Sequence, residues 1–149
     1  MNLAAPPVPG FRFMHVMLRV LELERALEFY VGDLGMREIR RRESPEGRYT
    51  NVFVGYGPEE TDTVVELTWN WDQTQPYEAG SSYGHIALGT PDVYQSCARL
   101  SARGVRVTRQ PGPVQFGSTV IAFIEDPDGH KIELIQTGPV AADLKESKE

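Results

Sequence analysis

Two glutamates stand where an apolar strand would normally exclude them. Glu133 lies between Ile132 and Leu134 in the run D-P-D-G-H-K-I-E-L-I, and Glu66 between Val65 and Leu67 in T-V-V-E-L-T-W. A carboxylate in such surroundings must be paired, coordinate a cation or lose its charge to a proton. Each has a histidine upstream at a similar distance: His15 precedes Glu66 by 51 positions (66 − 15) and His85 precedes Glu133 by 48 (133 − 85). Two imidazoles and two carboxylates make an N2O2 set that suits Zn, Ni, Co or Mn and falls short of filling an octahedron. Open coordination positions are what a catalytic metal needs. Four separately hydrogen-bonded side chains would be the structural alternative, but that leaves the matched recurrence unexplained.

The elements that would carry these residues form an internal repeat. H-V-M-L-R-V, L-E-L-E-R-A-L-E-F-Y, L-G-M-R-E-I-R, T-N-V-F-V-G-Y and T-V-V-E-L-T-W read as strand, helix and three strands. H-I-A-L-G-T, P-D-V-Y-Q-S-C-A-R-L, R-G-V-R-V-T-R, S-T-V-I-A-F-I and H-K-I-E-L-I-Q repeat the order. Leu23, Ala26, Leu27 and Tyr30 recur at helical spacing, with Gly35 as a stop and no N-cap. The second helix is better marked, with Thr90 as N-cap, Pro91 at the first helical position and Gly104 after the last turn. D-P-D-G, residues 126–129, is turn chemistry that joins two strands into a hairpin. The halves are therefore two βαβββ modules of an α+β chain, residues 14–72 and 83–137. A Pro-, Gly- and Ser-bearing stretch separates them, a flexible arm (1–13) precedes them and a flexible tail (138–149) follows.

Strand pleat assigns faces. Side chains alternate with period two, so His15 shares a face with Met17 and Arg19, and Glu66 with Val64, Thr68 and Asn70. Glu133 lies with Lys131 and Ile135. His130 has the opposite parity beside a turn and is expected at the surface, not among the ligands.

Composition excludes several classes. The 149 residues carry a formal net charge of −6, which would repel nucleic acid and anionic membranes. The one basic run, R-E-I-R-R-R at residues 37–42, reads as a solvated edge strand. The single cysteine, Cys97, falls at helical spacing with Val93 and Leu100 and reads as a small buried hydrophobe. No segment approaches the roughly 18 apolar residues of a membrane span, and the opening residues lack the pattern of a signal peptide, so a cytoplasmic protein is expected.

These residues also carry a resemblance. M-L-R-V, L-E-F-Y, L-G-M, F-V-G-Y-G, E-L-T-W-N-W, Y-G-H-I-A-L and A-F-I-E-D-P-D-G-H-K-I-E-L-I resemble glyoxalase I (lactoylglutathione lyase) of the vicinal oxygen chelate superfamily over residues 14–136. The resemblance implies the glyoxalase/bleomycin-resistance/dioxygenase-like fold, with both modules forming a curved mixed sheet around a metal site. It implies that His15, Glu66, His85 and Glu133 are the ligands of one divalent metal, with Ni or Co favoured over Zn because the chain resembles the shorter bacterial type. It further implies a homodimer, in which one chain's first module pairs with the other's second, and glutathione as co-substrate.

The implied reaction converts the hemithioacetal of methylglyoxal and glutathione to S-lactoylglutathione. It moves a proton from C1 to C2 through an enediolate, with Glu133 as the base and Glu66 assisting. Arg19 and Asn70 would hold the glutamyl end of glutathione, and the pleat already places them on the His15 and Glu66 faces. Gln115 departs from the lysine that similar bacterial sequences tend to carry in the loop at residues 111–118, which bears on the choice of thiol. The alternatives are another vicinal oxygen chelate enzyme (an epimerase, dioxygenase or thiol transferase) or a metal-free drug-binding protein of bleomycin-resistance type. The former generally use three protein ligands, so the fourth, Glu66, counts against them.

Overall fold

The computed structural model describes residues 10–138. The expected arm and tail lie for most of their length outside the described residues. The chain runs β1 (His15–Val20), α1 (Leu23–Leu27) continuing as a π-helical segment (Glu28–Asp33), β2 (Arg37–Ser44), β3 (Tyr49–Gly55) and β4 (Val64–Asn70). It then repeats the order as β5 (Ile86–Thr90), α2 (Val93–Ala102), β6 (Arg106–Pro113), β7 (Val120–Glu125) and β8 (Lys131–Gln136). Among the described residues no helix is long and apolar enough to cross a membrane.

The expected α+β architecture is present, with its mixed sheet realised as two four-stranded sheets, one to each half. Their strand orders are β1-β4-β3-β2 and β5-β8-β7-β6. In both, the first strand lies parallel to the last, and the remaining pairs are antiparallel. Alternation decides which face is covered. Leu18 and Val20 of β1, Leu67 of β4, and Ile132 and Leu134 of β8 are buried in one apolar cluster that spans both halves. Full burial of one such side chain stabilises by roughly 1.5–3 kcal/mol, so a one-residue register slip that exposed the set would not survive. His15, Met17, Arg19, Lys131 and Glu133 consequently take the opposite, open face.

The helices cover the apolar faces. Leu23, Ala26, Phe29 and Tyr30 are buried along the first, and Val93, Cys97 and Leu100 along the second. The first helix is not a continuous α-helix. Its wider π turn lets the consecutive Phe29 and Tyr30 both face inward, their rings edge to face at 4.9 Å. It ends, as expected, at Gly35 in the left-handed region (φ 72°). The second helix is capped two residues later than the sequence suggested. Asp92 is the N-cap, its side chain accepting from the Gln95 N–H at 3.0 Å. Thr90 is held in β5 opposite Gln136, and its hydroxyl bonds to Ser96. Pro91 therefore precedes the cap. Gly104 follows the helix with φ 88°, as expected.

The D-P-D-G hairpin forms, with Gly129 at φ 84° and the Asp126 N–H donating to the His130 carbonyl at 3.0 Å. His130, however, is buried and not at the surface. Its Nδ1 lies 2.7 Å from Asp126 Oδ2, and its ring meets Tyr83 edge-on at 5.6 Å. Its parity points it at the partners that bury it. Arg37–Ser44 is an exposed edge strand and Cys97 is buried, both as expected.

Candidate metal centre

His15 opens β1, and its Nε2 lies 2.9 Å from Glu66 Oε2 in the middle of neighbouring β4. His85, immediately before β5, places its Nε2 2.8 Å from Glu133 Oε2 in the middle of β8. The histidines are about a third exposed or more (35% and 41%) and the glutamates mostly covered (15% and 17%), so each pair opens outward from a carboxylate seated in the sheet. Two donor atoms each about 2.1 Å from one cation at a right-angled bite lie about 3.0 Å apart. Both pairs match that spacing, and the donor types are those of a divalent transition-metal site.

Each pair backs onto an aromatic ring that sequence reasoning did not single out. Phe53 meets His15 edge-on at 5.5 Å and is the cross-strand neighbour of Glu66. Phe123 meets His85 at 5.2 Å and is the neighbour of Glu133. The match extends one strand further, with Arg40 opposite Phe53 and Arg109 opposite Phe123, each beside a β-bulge.

The two arginines then part ways. Arg40 lies over the Phe53 ring at 3.6 Å and grips Glu59 with two hydrogen bonds of 2.7 and 2.9 Å. Those bonds hold the Glu59 carboxyl below the usual carboxylate range. Arg109 turns away and donates to the carbonyls of Gly112, Pro113 and Ile121, all at 2.9 Å, which braces the start of the loop around Gln115. Arg109 still borders an open cavity of about 530 Å³ that also takes in His85, Phe123 and Lys131.

Arg19 lies on the open face opposite Thr68, whose hydroxyl donates to Asn51 Oδ1 at 2.9 Å. Asn70 ends β4 on the same face, its Nδ2 donating to Tyr77 Oη at 3.0 Å. The four expected ligands are thus brought together two by two. Among the described residues no three of His, Cys, Asp and Glu converge on one point, so the pairs do not meet within a single protomer.

The fold and its α+β architecture agree with comparison to known proteins. Residues 12–134 match the family model described as the Glyoxalase/Bleomycin resistance protein/Dioxygenase superfamily. The chain belongs to this superfamily. A member from Neisseria meningitidis serogroup A, named lactoylglutathione lyase, is 54% identical over 125 residues, which is 84% of this chain and 90% of its own length. The structure of glyoxalase I from Zea mays aligns with a TM-score of 0.82 at 43% identity, covering 87% of this chain and 46% of the maize chain. The present chain therefore spans about half the length of that relative. Leishmania major glyoxalase I, described as trypanothione-dependent, aligns with a TM-score of 0.76 at 37% identity over 93% of this chain and 94% of its own. In this member of the glyoxalase superfamily each open sheet face presents one His–Glu pair.

Proposed function

We propose that the chain is a glyoxalase I whose metal centre is shared between two protomers. His15 and Glu66 of one copy and His85 and Glu133 of the other would hold one divalent cation. The carrying observation is the pair of matched His–Glu contacts at 2.9 and 2.8 Å, neither with a third His, Cys, Asp or Glu beside it among the described residues. Relatives named lactoylglutathione lyase at 51–54% identity support the reaction. A maize relative of roughly twice the length, with room for two such units, supports the shared centre.

The substrate is the hemithioacetal of methylglyoxal and glutathione, and the product is S-lactoylglutathione. When bound, the metal supplies Lewis-acid stabilisation of negative charge that develops on the substrate oxygens. Glu133 takes the proton from C1 and returns it to C2, while Glu66 assists from the other module. Phe53 and Phe123 exclude water beside the histidines.

The repeat makes the two glutamates alike, and the surroundings distinguish them. Four residues after His15 and Glu66 stand Arg19 and Asn70; four after His85 and Glu133 stand Gly89 and Thr137. Gly89 offers no side chain to match Arg19, and one placed there would meet the Thr137 methyl at 2.8 Å and have to displace it. The thiol is therefore held from the first module alone, and the substrate lies one way round.

The test is isomerisation of methylglyoxal before and after metal removal, with and without glutathione. Turnover that needs both metal and thiol is expected. Full activity in the stripped protein, or without any thiol, would reject the proposal.

A further inference from the structure

The two histidines of the candidate metal centre are held in different ways. His15 lies inside β1, with Val64 as its partner in the ladder. The chain ahead of it is already tied to the segment that enters β4, since the Val64 N–H donates to the Met14 carbonyl at 3.0 Å and the Thr63 hydroxyl to the Phe13 carbonyl at 2.9 Å. In the second module the ladder begins one residue after the histidine, with Ile86 opposite Ile132. His85 therefore stands ahead of the paired residues, and it follows Gly84 where the first module has Met14. A glycine leaves the backbone beside it freer to turn.

Two residues before each histidine stands an aromatic side chain, Phe13 in the first module and Tyr83 in the second. Phe13 is 68% exposed and its ring carries no polar atom. Tyr83 is half-buried, its ring edge-on to buried His130, and its hydroxyl donates to the Lys131 carbonyl at 3.1 Å. The direction of that bond is fixed, because a carbonyl oxygen can only accept. Lys131 opens β8 two residues ahead of Glu133. One side chain thus ties the segment that carries His85 to the strand that carries Glu133.

We propose that Tyr83 is a positioning residue of the metal centre, whose hydroxyl does for His85 what strand pairing does for His15. The proposal rests on the reading of His85 and Glu133 as ligands of a divalent cation. It adds that their 2.8 Å spacing is kept by a side chain and not by the ladder. Groups one step outside a metal's ligands orient them, and losing such a group typically costs about 10–100-fold in metal affinity. Tyr83→Phe keeps the ring and its packing on His130 and removes the one bond to Lys131. Thr63→Val removes a bond of the same kind beside His15, which keeps its place in β1.

The experiment measures the cobalt affinity of the parent, Tyr83→Phe, Thr63→Val and His85→Ala by competition with a chromophoric chelator, all at one protein concentration, together with the melting of each metal-free protein. Tyr83→Phe should bind cobalt about tenfold more weakly, the low end of such effects because the hydroxyl acts through the backbone. Its metal-free form should melt near the parent, and Thr63→Val should match the parent in both measurements. Parental affinity in Tyr83→Phe overturns the proposal. So does an equal loss in Thr63→Val, which would mean that any bond at a sheet end serves, and so does a loss that comes with a lower melting temperature of the metal-free protein, which would make Tyr83 a prop for the fold. A weakened His85→Ala beside a silent Tyr83→Phe defeats this inference alone. Parental affinity in His85→Ala defeats the reading of the metal centre beneath it.

Discussion

The hydroxyl of Tyr30 donates a 2.7 Å hydrogen bond to Asp126 Oδ2 across 96 positions of chain, from the first helix to the hairpin that presents Glu133. Asp126 is 5% exposed and also accepts from the backbone N–H of Asp128 and of His130, and it contacts His130 Nδ1. On the same turn Asp128 Oδ1 accepts from the Leu21 N–H just ahead of α1. Burial and the Asp126 charge push the Tyr30 phenol far above its ordinary value, so it remains a donor at any working pH. Tyr30→Phe removes one donor from a buried carboxylate and should lower unfolding free energy in urea by about 1.5–3 kcal/mol. A variant as stable as its parent would show that this contact joins the modules without holding them.

His130 should give stability a pH dependence. Burial pulls its pKa down, but the hydrogen bond and charge of Asp126, with Asp128 adding, outweigh it and raise the value above the ordinary 6.5. A folded-state value above the unfolded one means that the contribution is fully present below about pH 6.5 and is lost as pH rises through the folded value. The stability gap between parent and His130→Gln, followed by thermal melting, should therefore be widest near about pH 6 and narrow toward about pH 9. A flat gap would mean that the Asp126 contact does not involve the protonated ring.

A shared centre predicts complementation. A chain with His15→Ala and one with Glu133→Ala should each be inactive. A mixed dimer has one intact site and one that lacks both residues. Random pairing should then recover up to about a quarter of parental activity, since half the dimers are mixed and each keeps one of its two sites. An active monomer in sedimentation at assay concentration would contradict this.

Glu133→Gln keeps size and a possible oxygen donor while removing the proposed base. Turnover should fall at least ~100-fold, the low end of general-base contributions. The decisive comparison is metal content measured alongside turnover. Near-parental rates in a metal-replete variant would move the proton transfer elsewhere.

Readdition of single metals to stripped protein should rank Ni or Co above Zn in turnover. The ligand set itself accepts all three, so the expected order rests on likeness to the shorter bacterial type. Zn turnover equal to or above that of Ni would reverse it.

Period-two alternation was enough to put His15, Glu66 and Glu133 on open faces, because the apolar neighbours Leu18, Leu67, Ile132 and Leu134 all had to be buried on the other. What failed to show were relations across the chain. His130 is buried against Asp126 and Tyr83, and local parity alone could not reveal those partners. The helix start was ambiguous because T-P-D offers two capping side chains, and strand pairing claimed Thr90. Phe53 and Phe123 occupy matched places, yet they precede their glutamates by 13 (66 − 53) and 10 (133 − 123) positions, so unequal loops hid the match. Tyr83 lies ahead of its strand, and only its contact with Lys131 distinguishes it.

Because, among the described residues, neither open face brings a third His, Cys, Asp or Glu to its His–Glu pair, association and loading of the proposed centre would be a single linked equilibrium. Dilution would then act as a chelator does, releasing the ion as partners separate, while excess ion would draw protomers together. Enzyme abundance itself would set the threshold below which activity switches off.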